Sequence, residues 1–251
     1  MSRLFSVLLL LAVTVVPAGA ARTFYQLPPL LPAHTYGNIL IDRTSTAAGV
    51  KAVAFAHWQH RARFTCSVCH NELEFEMATG VTEITEADNL AGRFCGACHN
   101  GELAFAAVGN CERCHNGTLD SSKEKFEAFA ASHPFTGTEY GNGIDWVRAV
   151  KRGLLTPARF LREAPTDMPY DKELELRAEM ARIPPAIFPH KEHDFWVDCN
   201  TCHPAVFNIK AKTTKHFRMQ AILQGEFCGA CHRTVAFPMN DCSRCHPGIS
   251  E

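Results

Sequence analysis

No stretch of this 251-residue chain strings together 18 apolar residues, so none is long enough to cross a bilayer as a helix. Neither sign of charge dominates: 25 basic and 26 acidic residues leave a formal net charge of −1. That excludes the basic field with which proteins gather nucleic acid. Hydrophobic residues at 46% and charged residues at 20% exclude a disordered chain. There is no Cys-x-x-Cys-Lys sequence, and no cysteine near the small-residue triplet Ala18-Gly19-Ala20. The second absence argues against a lipid-anchored N-terminus. Finally, none of the 12 cysteines stands outside a Cys-x-x-Cys-His unit. An even cysteine count first suggests disulfides, but structural bridges rarely close so tight a loop repeatedly.

Residues 1–20 read as a secretory signal peptide. Arg3 supplies the positive start, residues 4–16 the apolar stretch, and Ala18-Gly19-Ala20 the cleavage site. The expectation is a chain exported across the inner membrane and soluble after cleavage. The periplasm is the first address, the outer surface or the medium the alternatives.

The six units are Cys66-Ser-Val-Cys69-His70, Cys95-Gly-Ala-Cys98-His99, Cys111-Glu-Arg-Cys114-His115, Cys199-Asn-Thr-Cys202-His203, Cys228-Gly-Ala-Cys231-His232 and Cys242-Ser-Arg-Cys245-His246. Two thiols three positions apart reach the two vinyl groups on one edge of a haem, and the next His turns beneath the ring to ligate iron. The pattern predicts six covalently attached c-type haems. Zinc uses Cys-x-x-Cys pairs but has no need of an adjacent His six times over. Redox-active thiols normally use one such pair per domain.

Seven His lie outside the motifs: His34, His57, His60, His133, His190, His193 and His216. Six irons with two His each need six of them, so mostly bis-His, six-coordinate iron is expected. His57-x-x-His60 lies nine residues before Cys66, and His190-x-x-His193 nine before Cys199. A spacing of three puts both rings on one side of a helical turn, so each pair reaches two neighbouring haems. The third haem of each set is less determined. His216 lies between the first two motifs of the second half and is the candidate there. In the first half the options are His34, His133 or Met77, with Met77 expected in the core rather than on iron. A thioether ligand would raise that haem's potential. His34, near the N-terminus, is also placed to serve a neighbouring subunit.

The pattern is an internal repeat. His57 to His190, Cys66 to Cys199 and Cys95 to Cys228 are each 133 residues apart, whereas Cys111 to Cys242 is 131. The expected organisation is a first triheme module at 21–136, a partly helical linker at 137–185 and a second triheme module at 186–251. Sixty-six residues for three haems cannot build an apolar core unaided. The porphyrin faces are expected to be the core, so folding and haem attachment become one event.

Phe55-x-His57-x-x-His60 and Phe188-x-His190-x-x-His193, each followed by three motifs with Cys-Gly-Ala-Cys-His in the middle, resemble the c7-type triheme cytochromes. These are short relatives of the tetrahaem c3 cytochromes. The resemblance covers about 38–136 and 186–251. It implies electron transfer in the periplasm or at the surface of metal- and sulfur-respiring bacteria. It also implies that His57 pairs with His70, His60 with His99, His190 with His203, and His193 with His232. The family's third distal His lies shortly before the middle motif. Here those positions read Leu-Ala-Gly-Arg-Phe and Leu-Gln-Gly-Glu-Phe, which leaves the partners of His115 and His246 open.

The fold class that follows is a c3/c7-like multihaem cytochrome c with short α-helices and a small two-stranded β element. Residues 38–42 and 52–55 read as its strands, and Ile187-Phe188 reads as an echo of the second. In the linker, Asp145 caps a helix running to about Arg152 and stopped by Gly153, and 171–182 reads as a second helix. Trp146 packs either on a haem or, by preference, on a neighbouring module. The expected function is electron carriage along low-potential haems between other redox proteins: a quinol-oxidising membrane complex on one side, periplasmic or outer-membrane cytochromes on the other. Two alternatives stand beside it: a self-assembling haem filament, and a multihaem reductase with an open iron, which the missing Cys-x-x-Cys-Lys disfavours.

Overall fold

The protein is described by a computed structural model over residues 25–135, 137–162, 164, 170–178, 180, 182–207 and 218–249. Residues 1–20, read above as a signal peptide, and His216 lie outside the described residues.

Each half begins with the same device. Strand β1 (Asn38–Ile41) pairs antiparallel with β2 (Val53–Ala56), Asn38 opposite Ala56 and Ile41 opposite Val53. The β-branched and aromatic residues of both strands suit a pleated surface. β2 runs directly into a helix, His57–Arg61, that carries the first histidine pair. In the second half β3 (Glu173–Leu176) pairs antiparallel with β4 (Ala186–Pro189), and β4 runs into the helix His190–Trp196. There are therefore two two-stranded sheets among the described residues, one in each half of the chain.

The expected helix at 171–182 is thus corrected: Glu173–Leu176 is a strand. Its Glu-Leu-Glu-Leu sequence alternates exposed and half-buried positions, which is the period of a strand. Leu174 and Glu175 oppose Phe188 and Ile187, and that partner decides the matter against helix propensity. The other linker element is found as read. Asp145 accepts a hydrogen bond from the Arg148 N–H at 3.0 Å, the helix spans Trp146–Lys151, and Gly153 follows in the left-handed region at φ 69°.

The motifs themselves occupy single turns, such as Cys111–Cys114, Cys199–Cys202 and Cys242–Cys245. Ahead of each middle motif lies a five-residue helix, Glu86–Leu90 in one half and Met219–Leu223 in the other. The first is held by a reciprocal cap: the Thr85 hydroxyl accepts from the Asp88 N–H, and the Asp88 carboxylate accepts from the Thr85 N–H, both at 3.1 Å.

Conventional apolar packing is concentrated where the halves meet. Trp58, Trp146 and Trp196 are buried in one cluster with Ala56, Phe126, Ile144, Ala149 and Leu155. Trp146, on the linker helix, thus packs against Trp58 of the first half and Trp196 of the second. Polar contacts complete the seam. The Ser67 hydroxyl donates to the Trp196 carbonyl at 3.3 Å, Asn71 Nδ2 to an Asp198 carboxylate oxygen at 2.8 Å, and the Thr201 hydroxyl to Asn71 Oδ1 at 3.0 Å. The Tyr36 hydroxyl donates to the Ala236 carbonyl at 2.6 Å. Lys151 pairs with Glu192 at 2.7 Å, tying the linker helix to the second histidine-pair helix.

Candidate functional site

None of the 12 cysteines is paired in a disulfide. Burial pushes the thiols of Cys69, Cys231 and Cys245 up to about 12 and that of Cys95 to about 11. Among the described residues no three His, Cys, Asp or Glu side chains converge on a point that would hold a bare metal ion.

Every motif histidine engages a backbone carbonyl through Nδ1. His70 bonds Phe75 O at 2.7 Å, His99 bonds Phe105 O at 3.1 Å, and His115 bonds Lys51 O at 2.7 Å. In the second half His203 bonds Phe207 O at 2.7 Å, His232 bonds Phe237 O at 3.0 Å, and His246 bonds Pro184 O at 2.7 Å. A carbonyl can only accept, so Nδ1 carries the proton and Nε2 is left with its lone pair free for a metal. These acceptors escaped the sequence reading because they are main-chain oxygens. A faint signal exists: a Phe follows the His of the first two motifs by four to six residues in both halves.

The paired histidines are held in the same way. His57 bonds Gly37 O at 2.6 Å, His60 bonds Ala56 O at 3.1 Å, His190 bonds Lys172 O at 2.7 Å and His193 bonds Pro189 O at 2.8 Å. Phe55 stacks on His60 at 4.3 Å, and Phe188 on His193 at 4.2 Å. The structure sets His60 opposite His99 with ring centroids 6.3 Å apart, and His193 opposite His232 at 6.2 Å. Two metal–nitrogen bonds of about 2 Å each, plus the ring radii, span roughly 6 Å. Each slot therefore fits one iron between two imidazoles. His57 and His70 are near neighbours too. Burial pushes His57 down to about 4, and the adjacent His70, His60 and Arg61 add to that against the Gly37 carbonyl. Burial likewise pushes His232 to about 4, and lowers His60, His70 and His193. All five are thereby kept neutral, the form that ligates.

The remaining candidates separate. His133 has the same features as the pairs: Nδ1 on the Phe129 carbonyl four residues back at 3.0 Å, shared with the Ser132 hydroxyl at 2.9 Å, and a ring stacked on Phe135 at 4.9 Å and 11°. His34 has neither, and its Nε2 is engaged by Asp120 at 2.9 Å. Met77 is 40% exposed, which corrects the expectation of a core residue. It lies in the turn-rich segment after the first motif, in which Val81 is exposed as well.

Gly96 and Gly229, inside the two middle motifs, are fixed by close approach. A Cβ on Gly96 would overlap the Asn89 carbonyl, and one on Gly229 the Ile222 carbonyl, each at the end of the preceding five-residue helix.

Thiols in pairs, imidazoles presenting Nε2, and slots of two-ligand width together define a multihaem protein of the c type. The family model for cytochrome c7 and related cytochrome c matches residues 53–116 and 186–247, and the chain belongs to that family. Three solved structures are similar. A "c7-type three-heme cytochrome domain" is 35% identical over 32% of this chain and 91% of its own, with a TM-score of 0.28. The C-terminal hexaheme fragment of GSU1996 is 24% identical over 88% of this chain and 99% of its own, with a TM-score of 0.29. The dodecaheme cytochrome c GSU1996 is 25% identical over 85% of this chain and 49% of its own, with a TM-score of 0.28. No curated protein matches. The cofactors are c-type haems on six Cys-x-x-Cys-His sites, and the role is electron transfer. Haem supplies the one-electron chemistry; this chain supplies anchors, axial nitrogens and their orientation.

Proposed function

We propose that the protein is a hexahaem electron carrier working outside the inner membrane. It takes electrons from a quinol-oxidising membrane complex or another cytochrome, and delivers them to a periplasmic or outer-membrane cytochrome or an extracellular acceptor. The proposed anchors are the 12 motif cysteines, the proximal ligands the six motif histidines, and the distal ligands His57, His60, His190 and His193, with His133 preferred to His34. The observation that carries this reading is the recurring lock of Nδ1 on a main-chain carbonyl. It is a property of metal-ligating histidines, and it serves electron transfer by holding both axial rings still as the iron changes charge. An iron held between His60 and His99, or between His193 and His232, would have both axial positions filled, which favours a carrier over a reductase at those two haems.

The test is direct. Protein made in a host that attaches c-type haem should carry six covalent haems by pyridine haemochrome assay. It should show low-spin iron by electron paramagnetic resonance and take up little carbon monoxide when reduced. His60→Ala should convert one haem to a form that binds carbon monoxide. Absence of covalent haem, or carbon monoxide binding at most irons of the folded protein, would sink the proposal.

A further inference from the structure

In each half, the locks on the first two motif histidines are packed against by the attachment motif that follows. The Phe75 carbonyl holds His70, and the Phe75 ring meets Phe94, the residue before Cys95, at a centroid distance of 5.4 Å. The Phe105 carbonyl holds His99. The Phe105 ring lies 4.4 Å from the His99 ring and 3.6 Å from Cζ of Arg113, which stands inside the third motif. The second half repeats both contacts. Phe207, whose carbonyl holds His203, meets Phe227, the residue before Cys228, at 6.0 Å. Phe237, whose carbonyl holds His232, lies 4.3 Å from the His232 ring and 5.1 Å from Cζ of Arg244. Ring pairs and cation–ring pairs at such distances attract one another.

Two features set these contacts apart from incidental packing. First, the chain between the partners differs in length from half to half. Phe75 to Phe94 is 19 residues and Phe207 to Phe227 is 20, whereas Phe105 to Arg113 is eight and Phe237 to Arg244 is seven. The contacts persist through both slips. Second, Phe94 and Phe227 lie in the left-handed region, at φ 46° and 52°, which a bulky side chain enters only against strain. The same strained turn is built twice, each time against the preceding lock. The third-motif histidines have no motif after them within their half. His115 and His246 close instead on the carbonyls of Lys51 and Pro184. Each of these lies two residues ahead of a strand, β2 or β4, that runs into a histidine pair.

We infer that each later attachment turn braces the proximal ligand of the haem before it: Phe94 and Arg113 position His70 and His99, and Phe227 and Arg244 position His203 and His232. The four are positioning residues and ligate nothing. They fix the phenylalanine whose main-chain oxygen sets the tautomer and the plane of the imidazole. The turn that anchors one haem thereby completes the axial ligand of its predecessor. A substitution in that turn is felt one haem upstream of the motif that carries it. The inference rests on the haem-carrier reading of the motifs.

The experiment is haem-resolved NMR of the oxidised six-haem protein, in which haem methyl shifts report the orientation of the axial imidazoles. Arg113 is the chief probe: it is exposed, it belongs to the motif of the haem at His115, and it stacks on the lock of the haem at His99. Arg113→Gln should move the methyl shifts of the haem at His99 more than those of the haem at His115. It should also speed solvent exchange of the His99 Nδ1 proton about two- to fivefold, the factor that an exposed cation–ring contact supports. Arg113→Lys, which keeps a cation for the ring, should return both readings toward those of the unmodified protein. Phe94→Leu should move the haem at His70 more than the haem at His99. For either substitution, a change centred on the haem of the substituted motif, an equal change at both haems, or none at either overturns the inference, as does failure of lysine to restore. If Arg113→Gln loads haem incompletely, peptide masses should place the vacancy at Cys95 and Cys98; a vacancy at Cys111 and Cys114 overturns the inference too. Failure of the carrier reading looks different: the unmodified protein would lack covalent haem.

Discussion

At the scale of single residues, Gly96 and Gly229 sit where a methyl group has no room. The glycine in Cys-Gly-Ala-Cys is therefore imposed by the helix that ends against it. Gly96→Ala must shift that helix, and overpacking of this kind costs about 1–3 kcal/mol. The melting temperature should fall and the haem at His99 should be the one incompletely attached, measurable by calorimetry and haem stoichiometry. The histidines divide by the same local logic. His133→Ala should remove one low-spin signal from the electron paramagnetic resonance spectrum and add one carbon monoxide-binding iron. His34→Ala, which breaks only an exposed contact with Asp120, should change neither. The reverse result would exchange their roles. At this scale the sequence displayed the donors, because cysteine and histidine are named by their chemistry. It could not display what orients them, because Phe75 O, Lys51 O and Pro184 O belong to residues whose side chains take no part in the bond.

At the scale of elements, hairpin followed by histidine-pair helix is the repeating piece. The first copy was legible: 38–42 and 52–55 against the observed Asn38–Ile41 and Val53–Ala56. The second was half legible. Ile187-Phe188 marked β4, but 171–182 holds both alternation and good helix formers, and local sequence does not choose between them. The choice comes from pairing with β4, a tertiary fact. One consequence concerns where the second module begins. A fragment starting at 186 leaves β4 without its partner and removes the Lys172 carbonyl from His190. A fragment starting at 170 keeps both. The longer fragment should bind three haems with a cooperative melt. The shorter should bind fewer or melt without cooperativity, and equal behaviour of the two would show β3 to be dispensable.

At the scale of the whole molecule, the three tryptophans converge on one seam, although they are 88 and 50 residues apart in sequence. The sequence set Trp146 against a neighbouring module but gave no sign that Trp58 and Trp196 would both meet it, since each looks like an ordinary helix residue. Polar specificity at the seam rests on Asn71, which both donates to Asp198 and accepts from Thr201. Asn71→Asp would set two carboxylates against each other. A lost buried hydrogen bond with like-charge repulsion costs about 1–3 kcal/mol, and the modules should loosen. Small-angle scattering should report a larger radius of gyration, with six haems still attached; an unchanged radius would locate the seam's strength in the tryptophans alone. The carbonyl locks have a further consequence for how such a chain changes over generations. Because the acceptor at each motif histidine is a main-chain oxygen, no side-chain replacement at that position deletes it. Substitutions there alter surface and charge while the imidazoles keep their bearing. The scaffold is thus tolerant of mutation where its cofactor chemistry is least tolerant, and new docking surfaces can evolve around an unchanged conduit.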